Sequence, residues 1–328
     1  MTWIDEKLDR LLDRVTATET EVGERFPLSA DPATGLWKTT RRGSWTAGFW
    51  VGQLWLRARL TGLDEHRVTA GRWTARLAEW TDADTVTRGL IFWYGAAAAK
   101  RLGVDSAHAG LARRAALALA STFDEASAVL PWGTAFGDVA SPPLARTDGA
   151  AGAVPLLSWV GEKAVAASHL RTHVSLAEQI GGNAWTYVSG KWGPSAEPPP
   201  GWTRGDAWLL LSLADGSRWL DPALAEPARQ RLAHLPRNFP AVRGIQGSPP
   251  DSSAAVITAV AMAKLGLLDE AADLVKVQVR DHVQDDRLWD GCHDLSRGVA
   301  TAHQLVWGDF FLLLALAILA GRVPADAL

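Results

Sequence analysis

Apolar residues recur at i, i+3, i+4 and i+7 along almost the whole chain, and strand-like alternation is scarce. Twelve such stretches predict helices, roughly at 4–16, 45–61, 66–81, 88–103, 106–122, 149–160, 162–180, 202–214, 219–235, 253–266, 269–283 and 306–321. Turn chemistry separates them: SADPATG at 29–35, PWGTAFGDVASPP at 131–143, GPSAEPPPG at 193–201 and RGIQGSPPDSS at 243–253. Twelve helices joined by alternating long and short connections form six hairpins. Six hairpins closed in a ring give an all-α (α/α)6 barrel, with the longer loops gathered at one end. An α-solenoid is the alternative, but no fixed-period repeat is present. Nothing resembles an interdomain linker, so residues 1–328 are expected to form a single domain.

Composition excludes several roles. The net charge is −3 with the signs mixed and no basic run, which argues against nucleic acid or an anionic membrane as partner. The single cysteine, Cys292, leaves no internal disulfide and no cysteine-rich zinc site. The opening MTWIDEKLDRLLDRV is charged and amphipathic, unlike a signal peptide, and FFLLLALAILAG is too short to span a bilayer. A soluble, cytoplasmic protein is expected. There is no GxSxG string, no P-loop and no dinucleotide fingerprint. No cofactor and no metal is called for. His169 and His173 have zinc-ligand spacing on a helix, but no glutamate follows His169, and surface or core histidines are the simpler reading.

The aromatic composition is lopsided: 17 Trp against 2 Tyr and 8 Phe. Most of these indoles are expected in the core and about five in a carbohydrate-type cleft. GWTRGDAW at 201–208 sets an arginine and an aspartate between two indoles, as a pocket for a flat, polar, anionic ligand would. Asp148 and Asp251 each open a helix; for Asp251, Ser252 and Ser253, capping is the expected role.

Five strings, SWTAGFWVGQLWLRARLTG, TDGAAGAVPLLSW, GWTRGDAWLLLSLA, PDSSAAVITAVAMAKLG and LVWGDFFLLLALA, occur in this order over roughly residues 35–320. Together they resemble the unsaturated glucuronyl hydrolases of glycoside hydrolase family 88, relatives of the unsaturated rhamnogalacturonyl hydrolases. The resemblance implies an (α/α)6 barrel and hydration of the C4=C5 enol ether of an unsaturated uronosyl group. One carboxylic acid protonates C4 and then, as carboxylate, helps water onto C5. That differs from two-carboxylate glycosidase chemistry. The family acid/base aligns with Asp148, seven residues before Pro155. The role requires a raised pKa, which burial among indoles and alanines would supply. By the same resemblance Trp45, Trp132, Trp202 and Trp208 contact sugar faces, and Arg204 orients the ligand.

The departures are specific. The second family aspartate, from a His-Asp pair, aligns with Thr87, which follows Val86, so no carboxylate stands there. Asp206 replaces a common family glutamine. Either Asp84 or Asp206 stands in for the missing group, or the site serves a different substrate. In the second case Asp148 keeps its proton-transfer role and the chain is a secondary-metabolite tailoring enzyme that protonates an alkene or enol ether (isomerisation, cyclisation or hydration). A third reading is a non-catalytic sugar binder that has lost the second carboxylate. Thr87 and Asp206 are counted with the indoles and Arg204 as substrate-binding candidates. DADT at 82–85 and DDRLWD at 285–290 share the acidic pattern of terpene cyclases, but solvated loops account for both. Arg41, Arg42 and Arg88 are further candidates for neutralising a ligand carboxylate. Asp309 is expected to brace the last helix. The expected partner is a small molecule, an unsaturated oligosaccharide or glycoside, with no nucleic acid and no membrane, bound by a monomer or homodimer.

Overall fold

The computed structural model describes residues 2–137, 142–198, 201–236, 239–240 and 247–328. Parts of the turn segments 131–143, 193–201 and 243–253 lie outside the described residues.

Helical runs appear wherever the periodicity predicts them. They are α1 (Trp3–Val22), α2 (Ala47–Thr61), α3 (Asp64–Ala75), α4 (Arg88–Ile91), α5 (Ala98–Arg101), α6 (Ala109–Ala120), α7 (Thr147–Ala150), α8 (Ala153–Val160), α9 (Lys163–Gln179), α10 (Thr203–Trp219), α11 (Ala225–Ala233), α12 (Ser252–Lys264), α13 (Leu268–His282) and α14 (Val306–Leu319). A π-helical turn, Phe92–Ala97, joins α4 to α5 as one rod.

Two classes of helix alternate along the chain. In α2, α10, α12 and α14 nearly every residue is buried, the pattern of a helix packed on all sides. In α1 only Leu8, Leu11, Val15, Thr18 and Val22 are buried, the single stripe of a helix with one face in water. Packing follows from that difference. α2, the α4–α5 rod, α8, α10, α12 and α14 each pack on the next, and α14 closes on α2. The others lie outside: α1 on α14 and α2, α3 on α2, α6 on α8 and the rod, α9 on α8 and α10, α11 on α10, and α13 on α12 and α14. This is the expected (α/α)6 barrel. Each inner helix returns through an outer one, so all six inner helices run the same way and their N-terminal ends meet at one mouth.

The inner ring closes tightly because glycines let backbones touch. A Cβ on Gly48 of α2 would lie 2.5 Å from the carbonyl oxygens of Leu90 and Ile91. One on Gly89 would lie 2.4 Å from the backbone nitrogen of Ala153. Between the inner helices, Phe49, Tyr94, Trp208, Phe310 and Phe311 pack ring against ring.

Short strands, not predicted from the sequence, tie the loops at the mouth. They are β1 (Phe26–Ala30), β2 (Trp37–Thr40), β3 (Leu144–Arg146), β4 (Ala184–Val188), β5 (Lys191–Pro194), β6 (Val283–Gln284), β7 (Arg287–Leu288) and β8 (Gln304–Leu305). β1 pairs with β2 and β8, β4 with β3 and β5, and β6 with β7, all antiparallel. The pairing of Arg146 with Ala184 fixes the backbone just ahead of Asp148. Only Asp285 and Asp286 of the DDRLWD string form the β6–β7 turn, where Asp286 pairs with Lys7 at 2.7 Å. Arg287 and Leu288 form β7, and Leu288 is buried, so the string is not the solvated loop expected.

Candidate active site

A cavity of about 250 Å³, partly open to solvent, lies at the mouth. The loops ahead of four inner helices build it: Trp45 before α2, Trp132, Arg146 and Asp148 before α8, Trp202 and Arg204 at the start of α10, and Cys292 to Arg297 before α14. Trp208, one turn into α10, closes its floor. The four predicted cleft indoles and Asp148 are thus brought together. Of the other tryptophans, Trp50, Trp55, Trp73, Trp93, Trp185 and Trp307 are fully buried in the core.

Asp148 sits in the first turn of α7 with 11% of its side chain exposed. The expected surroundings, indoles and alanines, need correction, because the nearest partner is a guanidinium. Arg146 Nε donates to Oδ1 at 3.2 Å and Nη2 to Oδ2 at 3.1 Å. This is a bidentate, charge-assisted pair. The same guanidinium stacks on Trp132 at 4.3 Å and lies 5.7 Å from Trp202.

Two histidines hold this segment from behind. His169 Nδ1 accepts from the Leu130 amide at 3.0 Å, so Nε2 carries the proton and donates to the Gly149 carbonyl at 3.3 Å. His173 sets Nδ1 against the His169 carbonyl at 2.8 Å and Nε2 against the Arg146 carbonyl at 3.1 Å. Burial lowers the pKa of both, that of His169 strongly. Helical i, i+4 spacing therefore serves a core pair, as the simpler reading held. Its added role is to grip the backbone on either side of Asp148.

Arg204 departs from its predicted part. Its Nη1 is bonded to the Asp251 carboxylate and the Cys292 carbonyl, and Nη2 donates to the His293 carbonyl at 2.8 Å. Only 4% of the side chain is exposed. It borders the cavity, but its terminal nitrogens hold the α12 cap to the loop ahead of α14. Asp251 also accepts from the Ser253 amide at 3.2 Å, the capping role expected of it.

Thr87 and Asp206 do not line the cavity. Thr87 is buried, its hydroxyl 2.8 Å from that of Thr85. Asp206 lies two residues beyond Arg204, and helical geometry turns it about 200° away. Burial raises its pKa to about 6, opposed by Arg231 and by a hydrogen bond with Asn183. Asp84 is exposed and accepts from the Thr134 amide and hydroxyl at 3.0 and 2.7 Å. Neither aspartate reaches the cavity. Arg41, Arg42 and Arg88 stay out of it too; Arg88 is buried and donates to the Thr85 and Thr81 carbonyls, each at 3.1 Å. Asp309 accepts from Gln304 at 2.8 Å, and burial pushes its pKa up to about 7.

Sequence reasoning missed Arg146 and His293. The His293 ring packs 6.1 Å from Trp45 and 5.4 Å from Trp307. Burial, reinforced by Arg204, lowers its pKa to about 4. At neutral pH it presents an uncharged imidazole to the cavity, able to donate or accept a hydrogen bond. Arg146 lies two residues before Asp148 and His293 next to the single cysteine, but nothing local marks either as facing a ligand.

No family model matches the chain. An unsaturated glucuronyl hydrolase of Bacillus sp. (strain GL1) is 27% identical in an alignment that covers 90% of each chain. Two solved structures share the fold. One is a UGL variant bound to dGlcA-Glc-Rha-Glc, with a TM-score of 0.87, 23% identity and 97% of each chain covered. The other is the unsaturated glucuronyl hydrolase responsible for degradation of glycosaminoglycan from Bacillus sp. GL1, with a TM-score of 0.86, 22% identity and 96% of each chain covered. In sequence and in fold, over nine tenths of its length or more, the chain is similar to unsaturated glucuronyl hydrolases, as its five motifs indicated.

Proposed function

We propose that the protein hydrates the C4=C5 enol ether of an unsaturated uronosyl group at the end of a short oligosaccharide or glycoside, releasing the attached group. Asp148, as the carboxylic acid, gives its proton to C4. The π electrons form the new C4–H bond, and the positive charge at C5 is shared with the ring oxygen. Water then bonds to C5 and passes a proton to the Asp148 carboxylate. The resulting hemiketal opens as C5=O forms and the bond from C5 to the ring oxygen breaks. That oxygen takes up the proton released by the C5 hydroxyl and becomes a hydroxyl on C1. This hemiacetal collapses to C1=O as its proton passes to the departing oxygen of the attached group. One water is consumed and the carboxylic acid is restored.

The observation that carries this reading is Asp148, set on the wall of an indole-lined cavity in a barrel similar to that of the hydrolases. Trp45, Trp132, Trp202 and Trp208 offer faces to sugar rings and to the developing cation. Arg204 contributes by shape, fixing the loop that carries His293. Among the described residues no helix is long and apolar enough to cross a membrane. The protein acts on a diffusible substrate in the cytoplasm, as a monomer or homodimer.

The test is incubation with unsaturated disaccharides released by polysaccharide lyases, following the ultraviolet absorbance of the conjugated double bond. Loss of absorbance with release of the second sugar is expected. Persistent absorbance with tight binding assigns a sugar binder instead. Persistent absorbance without binding assigns a different alkene or enol-ether substrate.

A further inference from the structure

Arg146 is the cation best placed to meet an anionic ligand. Of the arginines bordering the cavity, Arg204 has both terminal nitrogens engaged in the protein, and Arg297 lies at the rim with 80% of its side chain exposed. Arg146 is half-enclosed, 24% exposed, and held flat by Trp132. Its Nε and Nη2 reach Asp148, while its Nη1 makes no hydrogen bond among the described residues.

The chemistry of the proposed substrate requires such a neighbour. In a 4,5-unsaturated uronate, C4 and the carboxylate carbon are both bonded to C5. A side chain that protonates C4 therefore lies beside the group that binds the carboxylate. Asp148 and Arg146 are hydrogen-bonded to each other and face the same cavity. In that arrangement, however, the acid's own counter-ion is the receptor the substrate needs.

Resting on the reading above, we propose that Arg146 receives the uronate carboxylate, and that this incoming carboxylate displaces Asp148 from the guanidinium. Substrate binding thus orients the double bond and frees the Asp148 carboxyl group from the guanidinium to face C4. The other charged or titratable groups around Asp148 are His173 of α9 behind it and, across the cavity, Arg204, His293, Asp294, Arg297 and Glu197. His293 is uncharged at neutral pH and Arg204 is committed elsewhere, so Arg146 sets the exchange. An uncharged glycoside would leave the Arg146–Asp148 pair closed. The device thus selects for the uronate as well as for the alkene.

The experiment is a cycle of one substitution and one substrate change. The kcat and KM of wild type, Arg146→Gln and Arg146→Lys are measured on an unsaturated uronosyl disaccharide and on its uronate methyl ester. Any intrinsic effect of the ester on the double bond is common to all three proteins and cancels. If Arg146 receives the carboxylate, esterification costs the wild type about 30-fold or more in kcat/KM, and Arg146→Gln about threefold or less. Arg146→Lys keeps the charge without the fork and falls between. His173 holds the backbone carbonyl of residue 146, which these replacements leave in place, and matching melting temperatures check the fold. Equal cost of esterification in wild type and Arg146→Gln overturns the assignment of Arg146 while leaving the uronate reading intact. No turnover of any unsaturated disaccharide by the wild type overturns the uronate reading, and the assignment with it.

Discussion

Replacing Arg204 with methionine separates a structural arginine from a ligand-binding one. The side chains of Arg204 and Asp251 are 4% and 0% exposed. Asp251 keeps the Ser253 amide, the Ser253 hydroxyl and the Cys292 amide on Oδ1, at 3.2, 2.6 and 3.3 Å. Its Oδ2 loses its charged partner, and the carbonyls of Cys292 and His293 lose their donors. Removing one member of a buried pair strands the other charge, at a cost of about 3–5 kcal/mol. For 328 residues, at an unfolding entropy of about 2.1 cal/mol/K per residue, that lowers the melting temperature by about 4–7 °C. Adding Asp251→Asn removes the stranded charge and recovers roughly half of the loss. Scanning calorimetry of the single and double variants reads the stability, and KM on an unsaturated disaccharide reads the ligand. A single variant that melts within about 1 °C of wild type but binds substrate about tenfold more weakly would show that the buried pair does not hold the fold. Arg204 would then serve the ligand after all.

Two further perturbations follow from the same geometry. His173→Phe keeps the ring but removes both nitrogens that face the His169 and Arg146 carbonyls. We expect a loss of about 1–3 kcal/mol in urea unfolding and a fall in kcat of roughly tenfold with KM little changed. Unchanged kcat would deny the histidine its hold on the Asp148 segment. Asp309 has a folded pKa of about 7, above its ordinary value of 3.8, so the folded state holds its proton more tightly than the unfolded chain does. Its effect is nil at pH below the ordinary value. The cost grows as pH rises through the interval and is complete above about 7. Asp309→Asn should therefore raise the melting temperature at pH 8 by about 3–6 °C and leave it unchanged at pH 4. A gain at pH 4 as large as at pH 8 would contradict that sign.

The barrel was legible in the sequence because its helices carry strong and distinct patterns. Helical periodicity marked where the helices lie, while their division into an all-buried inner ring, such as α14, and a striped outer ring, such as α1, emerged from the packing. The strands at the mouth were not legible, since two to five residues, as in β7 and β4, are too short to display alternation. The indoles of the cleft were found from motif and resemblance together. Arg204 was misjudged for a reason of reach. A sequence places it between two tryptophans, but only the fold brings Asp251, 47 positions away, to its tip. Arg146 was overlooked because its significance rests on stacking over Trp132, a contact across a loop. Thr87 and Asp206 failed for opposite reasons: one is locked to its neighbour Thr85, the other faces Arg231 on the far side of its helix.

The most direct measurement is the turnover of Asp148→Asn on unsaturated disaccharides, with circular dichroism and melting temperature as controls on the fold. Asparagine occupies the same space and can still accept hydrogen bonds, but has no acidic proton to give. The variant's kcat should fall at least about a thousandfold, with disaccharide binding retained. Turnover close to that of wild type in the folded variant would contradict the role given to Asp148 and move the proton donor elsewhere in the cavity.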